Sequence, residues 1–455
     1  MKELLAILDV GKTNTKLILA EAHSGREVFS AKRNNTSIDT LLGRELDVAA
    51  IEQWFCDVLR STPHTAQVAA LVPIAHGATA VLIDADGNVL AAPDYEDPRF
   101  NEVATAYERV RDNVDITLSP PLPLGLNLGR QLYYFQTRTP VLFARAAHIL
   151  LYPQYWAWRF SGVLSSEVTS LGCHTDLWQP VTRTFSPLAT AQGWDRLLPA
   201  IRGAHETLGG VTPQMAQATG LDRSCRVVCG IHDSNASYLE HLLNRDREQP
   251  FAVISSGTWT VVMANRGDLT RLRADHDMLA NVDAFGSPVP TARFMGGREY
   301  EAIAQSATPI DLAALQSVLR QQAYALPSFA NAGPFPGRTG KLIGAAALND
   351  AERAGLATLY IALMSDLLLD SLGMNGDVIV DGPLAANPFF ASLLKTLRPL
   401  ANVYRKAGAS GVCSRAASYL AGFQVASESA SPAVSELELP QLDAYRRAWC
   451  EQLPY

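Results

Sequence analysis

Residues Leu4–Leu19 read LLAILDVGKTNTKLIL, and this stretch decides the fold. An apolar run ends in Asp9, turns at Gly11, passes Thr13, Asn14, Thr15 and Lys16, and becomes apolar again. The pattern predicts a strand, a tight hydroxyl-rich turn and a second strand. Gly11 lets the backbone bend sharply and lets amides approach a phosphate. Thr13 and Asn14 add neutral donors. Asp9, at a strand end, is suited to orient a metal ion or a water. Gly11-Lys12-Thr13 has the look of a P-loop ending, but that loop needs a glycine five residues earlier. Ala6 stands there, which excludes it.

Two later segments follow the same logic. Ala252–Ala264, AVISSGTWTVVMA, is again strand, Ser-Ser-Gly-Thr turn, strand. Val378–Phe390, VIVDGPLAANPFF, runs from an apolar strand through a Gly-Pro turn to Asn387-Pro388 at the start of a helix. Between them and the first hairpin lies Val227–Tyr238, VVCGIHDSNASY, with Asp233 just after a strand and a glycine. On these motifs the chain resembles the FGGY carbohydrate kinases of the actin-like ATPase superfamily, over roughly residues 4–425.

The resemblance implies an α/β fold of two actin-like (ribonuclease H-like) domains with a ligand cleft between them. It implies ATP as phosphoryl donor, with Mg²⁺. Gly11, Lys12, Thr13 and Asn14 would hold phosphate from one hairpin, and Ser256, Gly257 and Thr258 from the other. Gly382 and Asn387 would hold the adenosine. Asp9 would hold the metal, and Asp233 would contact the sugar and act as general base. His76 and Gly77 would lie against the sugar. The Gly-x-Thr-Asn and Gly-Thr-Trp forms are most similar to kinases of L-fuculose and L-rhamnulose. Three features depart from the family pattern. Lys12 stands where Thr or Ser is common, Asp381-Gly382-Pro383 replaces a Gly-Gly pair, and Phe143–Trp158 has no lysine.

Composition sets outer bounds. The chain has 455 residues, 48% apolar and 18% charged, a globular balance with ample core for two or three domains. A net charge of −7 argues against a general nucleic-acid binder. The six cysteines, Cys56, Cys173, Cys225, Cys229, Cys413 and Cys450, form no C-x-x-C pair, which favours reduced thiols over a zinc site. No apolar stretch of membrane-spanning length lacks charges or breakers. A strand starting by residue 4 leaves no room for a signal peptide. The expected setting is cytoplasmic. The expected partner is a small sugar, without nucleic acid or membrane, and a homodimer is left open.

Along the chain, Ile51–Ser61 is an amphipathic helix, and Val68–Pro73 and Ala78–Ile83 are strands around His76-Gly77. Asp84–Gly87 is a hairpin turn. Residues 100–165 read as mostly helical, with Leu142–Phe160 a long aromatic-rich segment. Arg226–Ile231 is a strand leading to Asp233, and Leu239–Gln249 is helix-like. Ala351–Gly373 and Ala409–Phe423 are helices, and Leu437–Leu453 forms a short one. A boundary near residue 245 gives an N-terminal domain, 1–245, with the sugar side, first hairpin and base. The C-terminal domain, 246–455, has the second hairpin and adenosine site.

Each candidate has a plainer rival. Asp233 could cap the helix that follows, Lys12 could be a solvated turn residue, and His76 could be a packed strand end. Tyr95, Asp97 and Arg99 of the YEDPR loop fit either a substrate-side cluster or the surface. Asn387 fits either adenine contact or a helix cap. Two other functions share the fold: a sugar-independent ATPase of the actin or chaperone kind, and a non-catalytic sugar sensor.

Overall fold

A computed structural model describes residues 3–306, 308–406, 413–425 and 432–454. The chain divides into two compact units. One comprises Met1–Asn244, Ala280–Pro288 and Gly411–Glu428; the other comprises Arg245–Leu279, Val289–Ser410 and Ser429–Tyr455.

The first unit grows from the N-terminal hairpin. Strands Leu4–Val10 and Asn14–Glu21 pair antiparallel, with Asp9 opposite Lys16 and Val10 opposite Thr15. The Gly11 amide closes the turn on the Asn14 carbonyl at 2.9 Å, and Asn35 Nδ2 donates to the Gly11 carbonyl at 2.7 Å. Strand Val68–Ala75 runs parallel beside Leu4–Val10. Both are buried on both faces, which is why each reads as a nearly unbroken apolar run. The short strand Ile231–His232 runs parallel to Val68–Ala75, with Ile231 opposite Ile74 and His232 opposite Ala75. Asp9 is opposite Ile74 as well. Three parallel strands therefore end level, and the residues that leave them, Gly11, His76 and Asp233, emerge along one edge of the sheet. In open α/β sheets that edge is where ligands bind.

The expected strand Arg226–Ile231 is broken in two, Arg226–Val228 and Ile231–His232. Gly230 breaks it, with φ at +87° and its α-carbon so close that an added Cβ would lie 2.5 Å from the Pro73 carbonyl oxygen. The helix Asp233–Leu243 follows at once and ends before Gln249, with Asn244 Nδ2 donating to the Glu240 carbonyl.

The second unit repeats the plan. Phe251–Ser256 and Thr260–Asn265 form an antiparallel hairpin, and Asp377–Asp381 runs parallel to the first of them, with Ser255 opposite Asp381. The Gly257 turn and Gly382 thus leave the sheet at one edge. Helix Asp350–Ser371 supplies much of this unit's core. Asn349 and Glu352 cap it reciprocally. It is the one helix among the described residues long and apolar enough to cross a membrane, and it is mostly buried.

Several local expectations need correction. Leu142–Phe160 is not continuous helix. Pro140–Phe143 is a single turn, His148–Leu151 is a strand paired with Ala80–Ile83, and Tyr152–Ser161 is the helix. The Ala147 amide donating to the Ile83 carbonyl draws the segment into the sheet. The helix expected at Ala409–Phe423 covers Ser414–Leu420, and the part at 409–412 lies outside the described residues. Val48–Ser61 starts three residues earlier than read, because Asp47 caps it through the Ala50 amide. The C-terminal helix is Leu442–Glu451.

Gly230 sets where His232 and Asp233 sit, so Gly230→Ala meets both a left-handed backbone and the Pro73 carbonyl. The expected cost is about 1–3 kcal/mol, seen as a lower apparent melting temperature. An unchanged melting curve would show that the strand break does not depend on glycine.

Candidate active site

In the first unit, Asp9, His76, Gly77 and Asp233 share one edge of the sheet. Asp9 closes the first strand. Burial, then the neighbouring Asp233 charge, push its carboxyl up to about 6, against the opposing pull of Lys16. Asp233 opens its helix at the first helical position, and His232, not Asp233, is the capping residue. The Asp233 carboxylate still takes a local bond, from the Ser234 amide to Oδ1 at 2.6 Å. Its side chain is 34% exposed.

His76 is 7% exposed, with the rings of Tyr152 and Tyr95 at 4.8 and 5.7 Å. Burial pushes its pKa down to about 4, so the ring is neutral near pH 7. Nδ1 donates to the Gly77 carbonyl at 2.9 Å, which fixes the tautomer and leaves Nε2 as an acceptor. Gly77 is needed at this turn. A Cβ there would lie 2.8 Å from His232 Nε2 and 3.3 Å from Cys173 Sγ.

Those two groups were not singled out from the sequence. Cys173 and His232 are both buried, with Sγ 3.6 Å from Nε2. Burial opposes charge on each, but thiol and imidazole favour each other's ionised form. With Asp233 adding to the pull, His232 is pushed up to about 9, and with His174 adding on the other side, Cys173 is pushed down to about 5. The one available signal was His232 standing next to Asp233; Cys173 lies far off in sequence.

The rest of the first hairpin divides. Thr13 and Asn14 stand at its tip, with Thr13 exposed. Lys12 does not extend freely. Its ammonium donates to Asp94 Oδ1 at 2.6 Å, lies 3.6 Å from Glu96 and sits over the Tyr95 ring. Burial works against the Asp94 carboxylate, yet Lys12, Ser37 and the Glu96 amide together hold its pKa below the usual range. Further along the same loop, Arg99 is buried and paired with Glu45 and Asp97. The YEDPR loop is therefore neither loose nor purely surface.

In the second unit a pocket of about 640 Å³ opens at the Ser256-Gly257-Thr258 turn. Pro383, Leu384 and Asn387 form part of its wall. Asn387 also caps a helix, Oδ1 accepting from the Phe389 and Phe390 amides at 3.0 and 3.1 Å. Gly382 has φ at +76°, and an added Cβ would lie 2.2 Å from the Ser256 carbonyl oxygen. The sequence reading missed the opposite wall, Gly296-Gly297-Arg298, at the start of helix Gly296–Ala304. A Cβ on Gly297 would strike the Gly257 carbonyl at 2.3 Å, so this glycine pair lets helix and turn touch. Arg298 is exposed and has no acidic partner among the described residues. The Gly-Gly-Arg at a helix start was a signal for it. A larger hollow of about 970 Å³ lies elsewhere in the first unit, against helix Val48–Ser61, and holds none of these groups.

A divalent cation suits the first-unit edge by donor type. Asp9 and Asp233 offer carboxylate oxygens, the Asp233 charge disfavours charge on Asp9, and Mg²⁺ needs only one or two carboxylates beside water and phosphate.

Comparison with known proteins gives a consistent pattern. The family model "FGGY family of carbohydrate kinases, N-terminal domain" matches residues 4–239, and "Carbohydrate kinase FGGY, C-terminal domain" matches 248–429. A solved carbohydrate kinase from Novosphingobium aromaticivorans superposes with a TM-score of 0.90 at 33% identity, covering 99% of this chain and 98% of that one. An L-fuculokinase from Salmonella typhi is 26% identical over 278 residues, 59% of this chain and 58% of its own length. A rhamnulokinase from Yersinia pestis is 24% identical over 303 residues, 61% and 57% of the respective lengths. The chain thus matches under two thirds of the length of these last two relatives.

Asp9 makes a prediction for the ligand-free protein. Its folded pKa of about 6 exceeds the unfolded value of 3.8. Ionised Asp9 therefore costs stability fully above pH 6, and the cost fades as pH falls toward 4. Asp9→Asn should raise the apparent melting temperature in chelator-treated buffer at pH 8, by roughly 1–3 kcal/mol equivalent, and the gain should shrink by pH 4.5. A pH-independent gain would place the effect in packing instead.

Proposed function

The chain belongs to the FGGY family of carbohydrate kinases, and we propose that it transfers the γ-phosphoryl group of ATP to a hydroxyl of a small sugar, a ketose of the L-fuculose or L-rhamnulose kind. The observation that carries this reading is the level ending of three parallel strands, which puts Asp9, neutral His76 and the half-open Asp233 along one edge.

In this reading the reacting sugar hydroxyl meets Asp233, and a neighbouring hydroxyl donates to His76 Nε2. Asp233 takes the hydroxyl proton as the sugar oxygen bonds to the γ-phosphorus. The bond from that phosphorus to the bridging oxygen breaks, and ADP leaves with the electron pair. Such a transition state is loose, so positioning and charge do most of the work. The divalent ion accompanying ATP offsets phosphate charge when bound, and Asp9 is the side chain that would hold it. The Gly257 turn supplies backbone donors to phosphate. Arg298 supplies a mobile cation, while Lys12, committed to Asp94, holds the Tyr95 loop on the sugar side. The adenosine rests against Gly382, Pro383 and Asn387. In this reading residues 1–245 carry the base side and residues 246–455 the nucleotide side.

The experiment is a coupled assay of ADP release over L-fuculose, L-rhamnulose, L-ribulose, D-xylulose, D-ribulose, glycerol and tetritols. Turnover on one or more ketoses is expected. ATP hydrolysis without sugar dependence would favour an actin-like or chaperone-like ATPase. Sugar binding without turnover would favour a sensor. Asp233→Asn should lower kcat by about 10²–10⁴ with KM little changed, while the helix it opens stays folded. Near-normal kcat would remove Asp233 from the chemistry.

Gly257 offers a separate test. A Cβ there meets nothing closer than the Trp259 carbonyl at 4.0 Å, so Gly257→Val should fold normally. Its side chain should still obstruct the approach of phosphate to the turn. Calorimetry should show ATP binding weakened by tenfold or more, on the order of 1.4 kcal/mol. Unaltered affinity in a folded variant would move the phosphate site off this hairpin.

A further inference from the structure

We propose that His232 is a positioning residue: it occupies Oδ1 of Asp233 and so assigns Oδ2 as the atom that receives the sugar proton. The inference rests on the reading of Asp233 as general base.

The two carboxylate oxygens differ. Oδ1 takes the Ser234 amide at 2.6 Å and the Ser234 hydroxyl at 3.3 Å, and His232 Nε2 lies 3.3 Å away. No described residue donates to Oδ2. An oxygen already surrounded by donors is a poor base, because each donor stabilises its charge. The open oxygen keeps its lone pairs for the substrate.

His232 must present a proton at Nε2. An unprotonated nitrogen 3.3 Å from a carboxylate oxygen would set lone pair against lone pair. Asn235, 3.0 Å from Nδ1, accommodates this in either protonation state of the ring. Its amide nitrogen donates to a bare Nδ1. Turned over, the amide presents Oδ1, a buried atom with no other partner, to a protonated Nδ1. Nε2 carries a proton both ways, and that proton faces Cys173 Sγ and Asp233 together.

The ring has little freedom to leave. It is 5% exposed, its own backbone amide donates to Thr169 Oγ1 at 3.1 Å, and Thr169 in turn bonds buried Glu167. Gly77 packs against the ring at Nε2, with no room for a Cβ. Cys173 Sγ lies at that same end, 3.6 Å from Nε2. The titratable neighbours are Asp233 and Cys173 at Nε2, Glu167 beyond Thr169, and neutral His76 at longer range. Neighbours this closely packed are what hold a catalytic group to the fraction of an ångström its geometry demands.

Two amide substitutions differ in reach alone. His232→Gln can place a donor near the former Nε2. His232→Asn is one methylene shorter and cannot. We expect Asn to lower kcat by about 10–100-fold, the scale of a 1 Å misplacement, with KM for sugar and ATP within about threefold, and Gln to recover most of the loss. In an Asp233→Asn background, His232→Asn should change kcat less than about twofold, because a residue acting through another is not additive with it. Equal loss in Asn and Gln would reduce His232 to packing. A raised sugar KM with kcat intact would make it a direct sugar contact. Either result, or full additivity with Asp233→Asn, overturns the proposal. If neither single variant folds, Cys173→Ala, which removes the ring's second partner at Nε2, should give a several-fold fall in kcat at constant KM; no fall would overturn it too. A normal kcat in Asp233→Asn alone would instead sink the base assignment, so the two failures are distinguishable.

Discussion

The parallel register of three strands is the constraint on which the rest of this molecule depends. Leu4–Val10, Val68–Ala75 and Ile231–His232 lie side by side, with Val10 opposite Ala75 and Ala75 opposite His232. Backbone hydrogen bonding in a parallel sheet fixes which residues are level, and a slip of one residue would turn every side chain to the other face. The register makes Asp9, His76 and Asp233 neighbours although they lie far apart in sequence. Gly230 is the local device that makes the third strand fit, because only a glycine passes so close to Pro73.

Electrostatics at this edge follow from the same packing. Strands buried on both faces keep their ends desolvated, so burial is the largest influence on Asp9, His76 and His232. The outcomes differ with the neighbour. Asp9 faces another carboxylate and holds its proton more tightly. His76 faces aromatic rings and stays neutral. His232 faces a thiol and a carboxylate and gains a proton. Three groups under similar desolvation thus arrive at different charge states near neutral pH.

The second unit shows the same economy with glycine. Gly257 is left open, so its turn can receive a ligand. Gly296, Gly297 and Gly382 are closed, each placed where backbone must touch backbone or a buried hydroxyl. Exposed Arg298 at the rim contrasts with Lys12 in the first unit, whose charge is already spent on Asp94.

The hairpins, the family and the order of the motifs are legible in the residues alone. An apolar run, a glycine turn and a second apolar run admit few structures, and both Leu4–Glu21 and Phe251–Asn265 formed as that pattern requires. The long helix at 350–371 is legible too, since apolar spacing over 22 residues leaves no alternative. Segments whose structure depends on distant partners were not legible. His148–Leu151 became a strand because Ala80–Ile83 was there to pair with it. Only the tertiary structure decided that Lys12 meets Asp94, that Gly296-Gly297 packs on the Gly257 turn, and that Cys173 and Asn235 hold His232 against Asp233. The physical reason is the same in each case. Side-chain partners 59 or 82 residues apart are chosen by strand register and close packing, and neither quantity is written in the local pattern of residues.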